Sequence, residues 1–261
     1  ALREKKVFLA SFNRPNLYYR VYPKDNPFSQ LIALVRKYRD ESVIIYCFSR
    51  RDTEELAHNL CAAGFSALAY HAGIDAATRK AAQEQFIRDE VPIMVATIAF
   101  GMGIDKPDVR LIVHYHLPKS IEGYYQETGR AGRDGLDSEC VLLYSAGDRS
   151  KYAYFIRQIE DDAARTQAYA KLDAVVNYCE LTTCRRKFLL DYFGETSAPD
   201  TCSACDRCQS APETVDATQI TQKILSAILR TGERFGATHI VDVLRGAKTQ
   251  AVVQRGHDQL S

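Results

Sequence analysis

The chain has 261 residues, 46% of them hydrophobic and 26% charged, with a formal net charge of +1. That size suits about two domains with a full core in the larger one, and the charge neither demands nor excludes a nucleic-acid partner, since a local basic face is what binds. No apolar run approaches the ~20 residues that span a bilayer. No secretory pattern precedes the first elements, and Ala1 replaces an initiator Met, so the chain is expected to be part of something longer.

Residues 42–48 form a near-continuous apolar run that predicts a buried strand. A helix follows over 52–63, with Leu56, Leu60 and Ala63 on one stripe and Gly64 placed to end it. A short strand at 67–70 precedes an Ala-rich helix at 76–88. Strands are expected at 92–96 and 111–115, a helix at 120–128 with Ser120 as its cap, and a strand at 140–144. Strands buried on both faces and joined by helices predict a parallel α/β sheet with right-handed crossovers. Ligands gather at the carboxyl ends of such strands, where Ser49, Arg50, His71 and Thr97 fall.

From residue 146 the pattern turns helical, over 146–158, 163–178 and 183–193. A polar loop at 194–200 leads to a cysteine cluster, and 211–215 reads as a linker. Amphipathic helices at 217–230 and 238–245 follow, with Gly232 and Gly246 as stops. The expected divisions are 1–145, 146–212 and 213–261.

Three segments carry chemistry. The first is Thr97-Ile-Ala-Phe-Gly-Met-Gly-Ile-Asp105, in which Gly101 and Gly103 permit close backbone approach and Asp105 offers a carboxylate for a ribose hydroxyl. The second, Gln126-Glu-Thr-Gly-Arg-Ala-Gly-Arg-Asp-Gly135, sets Arg130 and Arg133 about one helical turn apart among small residues, which suits a polyphosphate undergoing transfer. No Gly-x-x-x-x-Gly-Lys-Ser/Thr loop occurs in the 261 residues to cradle that phosphate. The third is Cys184, then seventeen residues, then Cys202-Ser-Ala-Cys205-Asp-Arg-Cys208, a spacing that suits tetrahedral Zn²⁺. Two disulfides or an iron–sulfur cluster are other uses of four cysteines; without a secretory signal a reducing cytosolic compartment and a metal are favoured. Cys47, Cys61 and Cys140 read as small buried thiols, and Cys179 as a spare thiol outside the set. His114 and His116 share one face of a strand with no third ligand in view, and no metal is assigned to them.

These motifs resemble a known family. Residues 97–108 and 126–135 are similar to motifs V and VI of superfamily-two helicases. Tyr124-Tyr-Gln-Glu-Thr-Gly-Arg-Ala-Gly-Arg-Asp-Gly135 looks specifically like the RecQ family of DNA helicases. Ile44-Ile-Tyr-Cys-Phe-Ser-Arg50 resembles that family's motif IV, Ser11-Phe-Asn-Arg-Pro-Asn16 its entry to the second motor domain, and 184–195 its zinc-binding region. The resemblance implies a second RecA-like lobe, 1–145, then a helical zinc-binding domain and the N-terminal part of a winged-helix domain. It implies a motor that moves 3′ to 5′ on single-stranded DNA, with ATP and Mg²⁺ bound against a first RecA-like lobe. Arg130 and Arg133 would then reach the γ-phosphate, with Gly103, Asp105 and Gln126 lining the nucleotide site. Ser49, Arg50, His71 and Thr97 would hold single-stranded DNA, and Cys184, Cys202, Cys205 and Cys208 a structural Zn²⁺. Arg245, Lys248 and Arg255 are candidates for duplex phosphates. Two other readings remain at this stage: a non-catalytic DNA-binding or docking module built on a helicase lobe, and an RNA helicase of the same superfamily.

Overall fold

A computed structural model of the chain describes residues 11–97, 105–196, 198–210 and 216–260. Two compact units, Ala1–Ala211 and Pro212–Ser261, divide it.

The first unit is built on six parallel strands in the order β1-β6-β5-β2-β4-β3. They are β1 (Leu17–Pro23), β2 (Ser42–Tyr46), β3 (Ala67–Tyr70), β4 (Ile93–Ala96), β5 (Val109–His114) and β6 (Ser138–Tyr144). Every residue of β2, β4 and β5 is buried, as an apolar run packed on both faces requires. Alternation along these strands splits the core in two. Val43, Ile45, Val95, Leu111 and Val113 meet one layer, which holds Leu31 and Val35 of α1 (Pro27–Lys37) and Leu56, Ala57 and Leu60 of α2 (Arg50–Ala62). Ile44, Tyr46, Met94, Ile112 and Leu142 meet the other, which holds Phe86 of α3 (Ala76–Ile87) and Ile121 and Tyr124 of α4 (Ile121–Thr128).

That second layer also takes in the helices after the sheet. Tyr152 and Ile156 of α5 (Ala146–Ile156), Leu172, Val175 and Tyr178 of α6 (Asp162–Glu180), and Leu189 of α7 (Arg185–Tyr192) belong to the same core. A short α8 (Asp206–Gln209) follows within the cysteine segment. The parallel sheet with flanking helices, followed by a helical segment, agrees with the sequence expectation.

β1 and α1 were not among the expected elements. β1 is an edge strand whose apolar run is interrupted by Arg20, and its partner in the sheet is β6, more than a hundred residues away in sequence. α1 does carry a start signal, the Asn26 cap before Pro27. Cys61 differs too: it lies exposed on α2, off the inward face formed by Thr53, Leu56, Ala57 and Leu60, whereas Cys47 and Cys140 are buried as expected.

The second unit contains α9 (Thr218–Arg230), α10 (Ala237–Leu244), α11 (Gln250–Val253) and a 3-10 turn, His257–Gln259. Its core is small, formed by Ala227, Ile240, Val243 and Val252.

Candidate functional site

The turn after α4 carries both arginines of the second motif, and its path is set by hydrogen bonds from distant segments. Gly132 adopts φ +53°, and a Cβ there would lie 2.5 Å from Asn16 Nδ2, 2.6 Å from the Leu136 carbonyl and 2.7 Å from Ser138 Oγ, so only glycine fits. Arg14 donates to the carbonyls of Ala131 at 3.0 Å and Gly132 at 2.9 Å. Asn16 donates to Gly132 O at 2.8 Å and Leu136 O at 2.9 Å. The Asn-Arg-Pro-Asn entry segment thus clamps the turn that the arginines leave.

The two arginines differ in setting. Arg130 is 8% exposed and lies beside the hydroxyl of Tyr46, which is also in the field of Glu127 and Arg133. Arg133 reaches toward solvent and pairs with Asp105 at 2.6 Å. The structure therefore brings Asp105 to Arg133, while Gln126 is exposed on α4. Gly103, and Gly101 with it, lie outside the described residues. Glu127, three residues before Arg130, is buried and receives a 2.7 Å hydrogen bond from His114 Nε2. His114 thus serves this carboxylate. His116 points elsewhere, with Nδ1 accepting from the Phe48 amide at 3.3 Å, and burial pushes it down to about 4.

The DNA candidates sit at the carboxyl ends of neighbouring strands, after β2, β3 and β4. Ser49 caps α2: its hydroxyl accepts from the Asp52 amide at 3.1 Å, and the Asp52 carboxylate reaches back to the Ser49 amide at 3.2 Å. Arg50 is exposed, and its side chain passes over Gly73, where a Cβ would come within 3.1 Å of its Cδ and Nη1. His71 is buried, with Nε2 on Glu54 at 3.0 Å and Nδ1 accepting from the Gly73 amide at 3.1 Å. Its side chain shapes the 71–73 turn from within. The Thr97 amide continues the β3 side of the sheet by donating to the Tyr70 carbonyl at 3.2 Å.

Far from these residues in sequence, the Sγ atoms of Cys184, Cys202, Cys205 and Cys208 all lie within 4.8 Å of one another. A tetrahedral site with Zn–S of ~2.3 Å has sulfurs ~3.8 Å apart, so the set fits such an ion closely. Cys184 caps α7, its sulfur accepting from the Lys187 amide at 3.5 Å, and Cys208 Sγ accepts from the Cys202 amide at 3.2 Å. Thiols this close cannot all ionise unaided. A hydrogen bond from Cys202 holds Cys205 down to about 4, and the same bond pushes Cys202 up. A cation removes that competition, because all four then bind as thiolates. Cys179 stays outside the set, buried in α6.

Spacing did not reveal what supports the cluster. Arg185, 0% exposed, forms an ion pair through both carboxylate oxygens of Asp206, at 2.5 and 3.0 Å, and donates to the Tyr178 carbonyl at 2.6 Å. Asp206 Oδ2 also accepts from the Val21 amide at 3.1 Å. Glu127 and Arg185 were missed for one reason: polar groups read as surface unless a partner is known. Tyr46 was read only as part of the buried 42–48 strand, which accounts for its ring and not for its hydroxyl. A helical spacing of three between Glu127 and Arg130 is the one signal the sequence offered.

Family models agree with this layout. The helicase conserved C-terminal domain matches residues 26–135, the RecQ zinc-binding domain 146–209 and the RQC domain 211–261. An ATP-dependent DNA helicase RecQ of Haemophilus influenzae is 43% identical over 100% of this chain, which covers 42% of that protein. The corresponding proteins of Pasteurella multocida and Bacillus subtilis are 44% and 39% identical over 100% of the chain, covering 41% and 44% of their lengths. The chain thus spans less than half the length of these relatives. It belongs to the RecQ family, of which it carries the helicase C-terminal, zinc-binding and RQC domains in that order.

Proposed function

We propose that this segment supplies the second motor lobe of an ATP-driven DNA helicase that moves 3′ to 5′ on single-stranded DNA. Arg130 and Arg133 act on the γ-phosphate of ATP held, with Mg²⁺, against a first RecA-like lobe. They stabilise charge that develops on the transferring phosphoryl group, an effect worth ~10³ to 10⁵ in rate. The observation that carries this reading is the arginine turn itself: one guanidinium is buried and the other paired with Asp105. Gly103, Asp105 and Gln126 line the same nucleotide, and the Arg133–Asp105 pair exchanges partners when phosphate arrives. With no phosphate-cradling loop in its sequence, this segment alone does not hydrolyse ATP.

Single-stranded DNA lies over the strand ends that carry Ser49, Arg50, His71 and Thr97. Arg50 is the exposed cation for the backbone, and His71 works indirectly by holding the turn beneath it. The four cysteines hold one structural Zn²⁺, which leaves no open coordination position for catalysis and serves to tie α7 to the 202–208 loop. Duplex DNA is met by the RQC unit.

ATP hydrolysis by the full-length protein that carries this segment, stimulated by single-stranded DNA, tests the arginine assignment. Arg130→Ala is expected to lower kcat by about 10³. An unchanged rate would refute it.

A further inference from the structure

An arginine that stabilises a transition state must be oriented before the reaction, because its long side chain otherwise samples many rotamers. Arg130 is nearly buried, so a fixed set of neighbours determines where its guanidinium points. Among the described residues, these neighbours include Tyr46 and the side chains that hold it. Tyr46 ends β2, is 3% exposed, and has its hydroxyl beside the Arg130 guanidinium. Burial raises its pKa, so it remains a neutral phenol with a lone pair for the guanidinium. The Tyr46 ring stacks on His114, the last residue of β5, with centroids 5.1 Å apart and planes at 24°. His114 is held from its other side by Tyr124, at 4.9 Å, and by Glu127 of α4, at 2.7 Å from Nε2. Glu127 is the buried negative charge nearest in sequence to Arg130, one turn before it. The strand ends and the helix thus form a brace that runs from Glu127 through His114 to Tyr46, with the Arg130 guanidinium beside its Tyr46 end.

We infer that Tyr46, backed by the His114–Glu127 pair, is a positioning residue that presets Arg130 toward the phosphate. This rests on the reading of Arg130 as the phosphate-directed arginine, and the test separates the two. Tyr46→Phe removes one oxygen and keeps the ring stack. In the full-length protein, kcat for DNA-stimulated ATP hydrolysis is expected to fall between roughly 10- and 100-fold, as for small misplacements of a catalytic group. KM for ATP and the melting temperature should stay close to the parent values. In an Arg130→Ala background the same change should not lower the residual rate further, because groups acting as one unit are non-additive. Glu127→Gln keeps the shape, drops the charge, and should lower kcat in the same direction. A kcat within twofold of the parent for both Tyr46→Phe and Glu127→Gln overturns the brace. So does an equal fold-loss from Tyr46→Phe with and without Arg130. An unaffected rate in Arg130→Ala alone instead overturns the underlying arginine assignment.

Discussion

Gly132→Ala is expected to destabilise the first compact unit by at least about 3 kcal/mol. At φ +53° a residue with a Cβ carries a strain of ~1 kcal/mol or more. The new Cβ would lie 2.5 to 2.7 Å from Asn16 Nδ2, Leu136 O and Ser138 Oγ, well inside the ~3.5 Å of a relaxed contact. Leu136 O is backbone and cannot swing away, and for Asn16 to withdraw it must give up its bonds to Gly132 O and Leu136 O. Each such bond is worth ~1 kcal/mol. Gly135→Ala is the control: its φ is +86°, but nothing lies within 4 Å of the added atom, so only the backbone strain remains. Urea unfolding followed by far-UV circular dichroism, extrapolated linearly, measures both. If Gly132→Ala is no more destabilising than Gly135→Ala, the clamp on the arginine turn has no energetic weight.

Glu139 gives a pH test. Burial works to raise its carboxyl, but hydrogen bonds from Lys37 at 2.9 Å and Tyr38 at 2.8 Å, with Arg20 alongside, leave it lowered from 4.5. A depressed folded pKa means the carboxylate contributes stability above its unfolded value, and that contribution fades as pH falls from about 4.5 through the folded pKa. Glu139→Gln should therefore lower the unfolding midpoint at pH 7, and the gap to the parent should close below pH 4 in an acid titration. Asp206→Ala leaves the Arg185 guanidinium buried without its carboxylate, which typically destabilises by ~3–5 kcal/mol; a thermal melt shifted by only a degree would contradict that. Zinc analysis of protein purified without chelator should give one ion per chain, and a stoichiometry near zero would remove the four-thiolate site.

The sequence makes β2, β4 and β5 legible because strands buried on both faces need apolar residues at every position. The cysteine cluster is legible because ligand spacing is a local property of the chain. β1 is not, since its support comes from β6 and from the 202–206 segment, both remote in sequence. The arginine motif announces two cations but not their division of labour. Arg130 is buried beside Tyr46, while Arg133 faces outward to Asp105, and nothing in a run of small residues encodes that choice. Arg185 is the extreme case: a fully buried cation that composition assigns to the surface.

The cysteine segment also bears on an exposed hazard of the sheet. β1 lies at one edge, and the outer amides of an edge strand are a template for pairing with another chain. Here the Tyr19 amide donates to the Ala204 carbonyl at 3.0 Å, and the Val21 amide to Asp206 Oδ2 at 3.1 Å. Arg186 covers the Leu17 carbonyl at 2.7 Å. Both acceptors of the β1 amides flank Cys205, and both depend on the fold of a loop with little apolar core of its own. An ion that fixes the four sulfurs therefore also fixes the cap on this edge. Chelation should speed amide exchange at Tyr19 and Val21 while Ile44 and Ile45, inside the sheet, stay protected. Equal protection of Tyr19 and Val21 with and without chelator would mean that the edge is held by the Arg185–Asp206 pair alone.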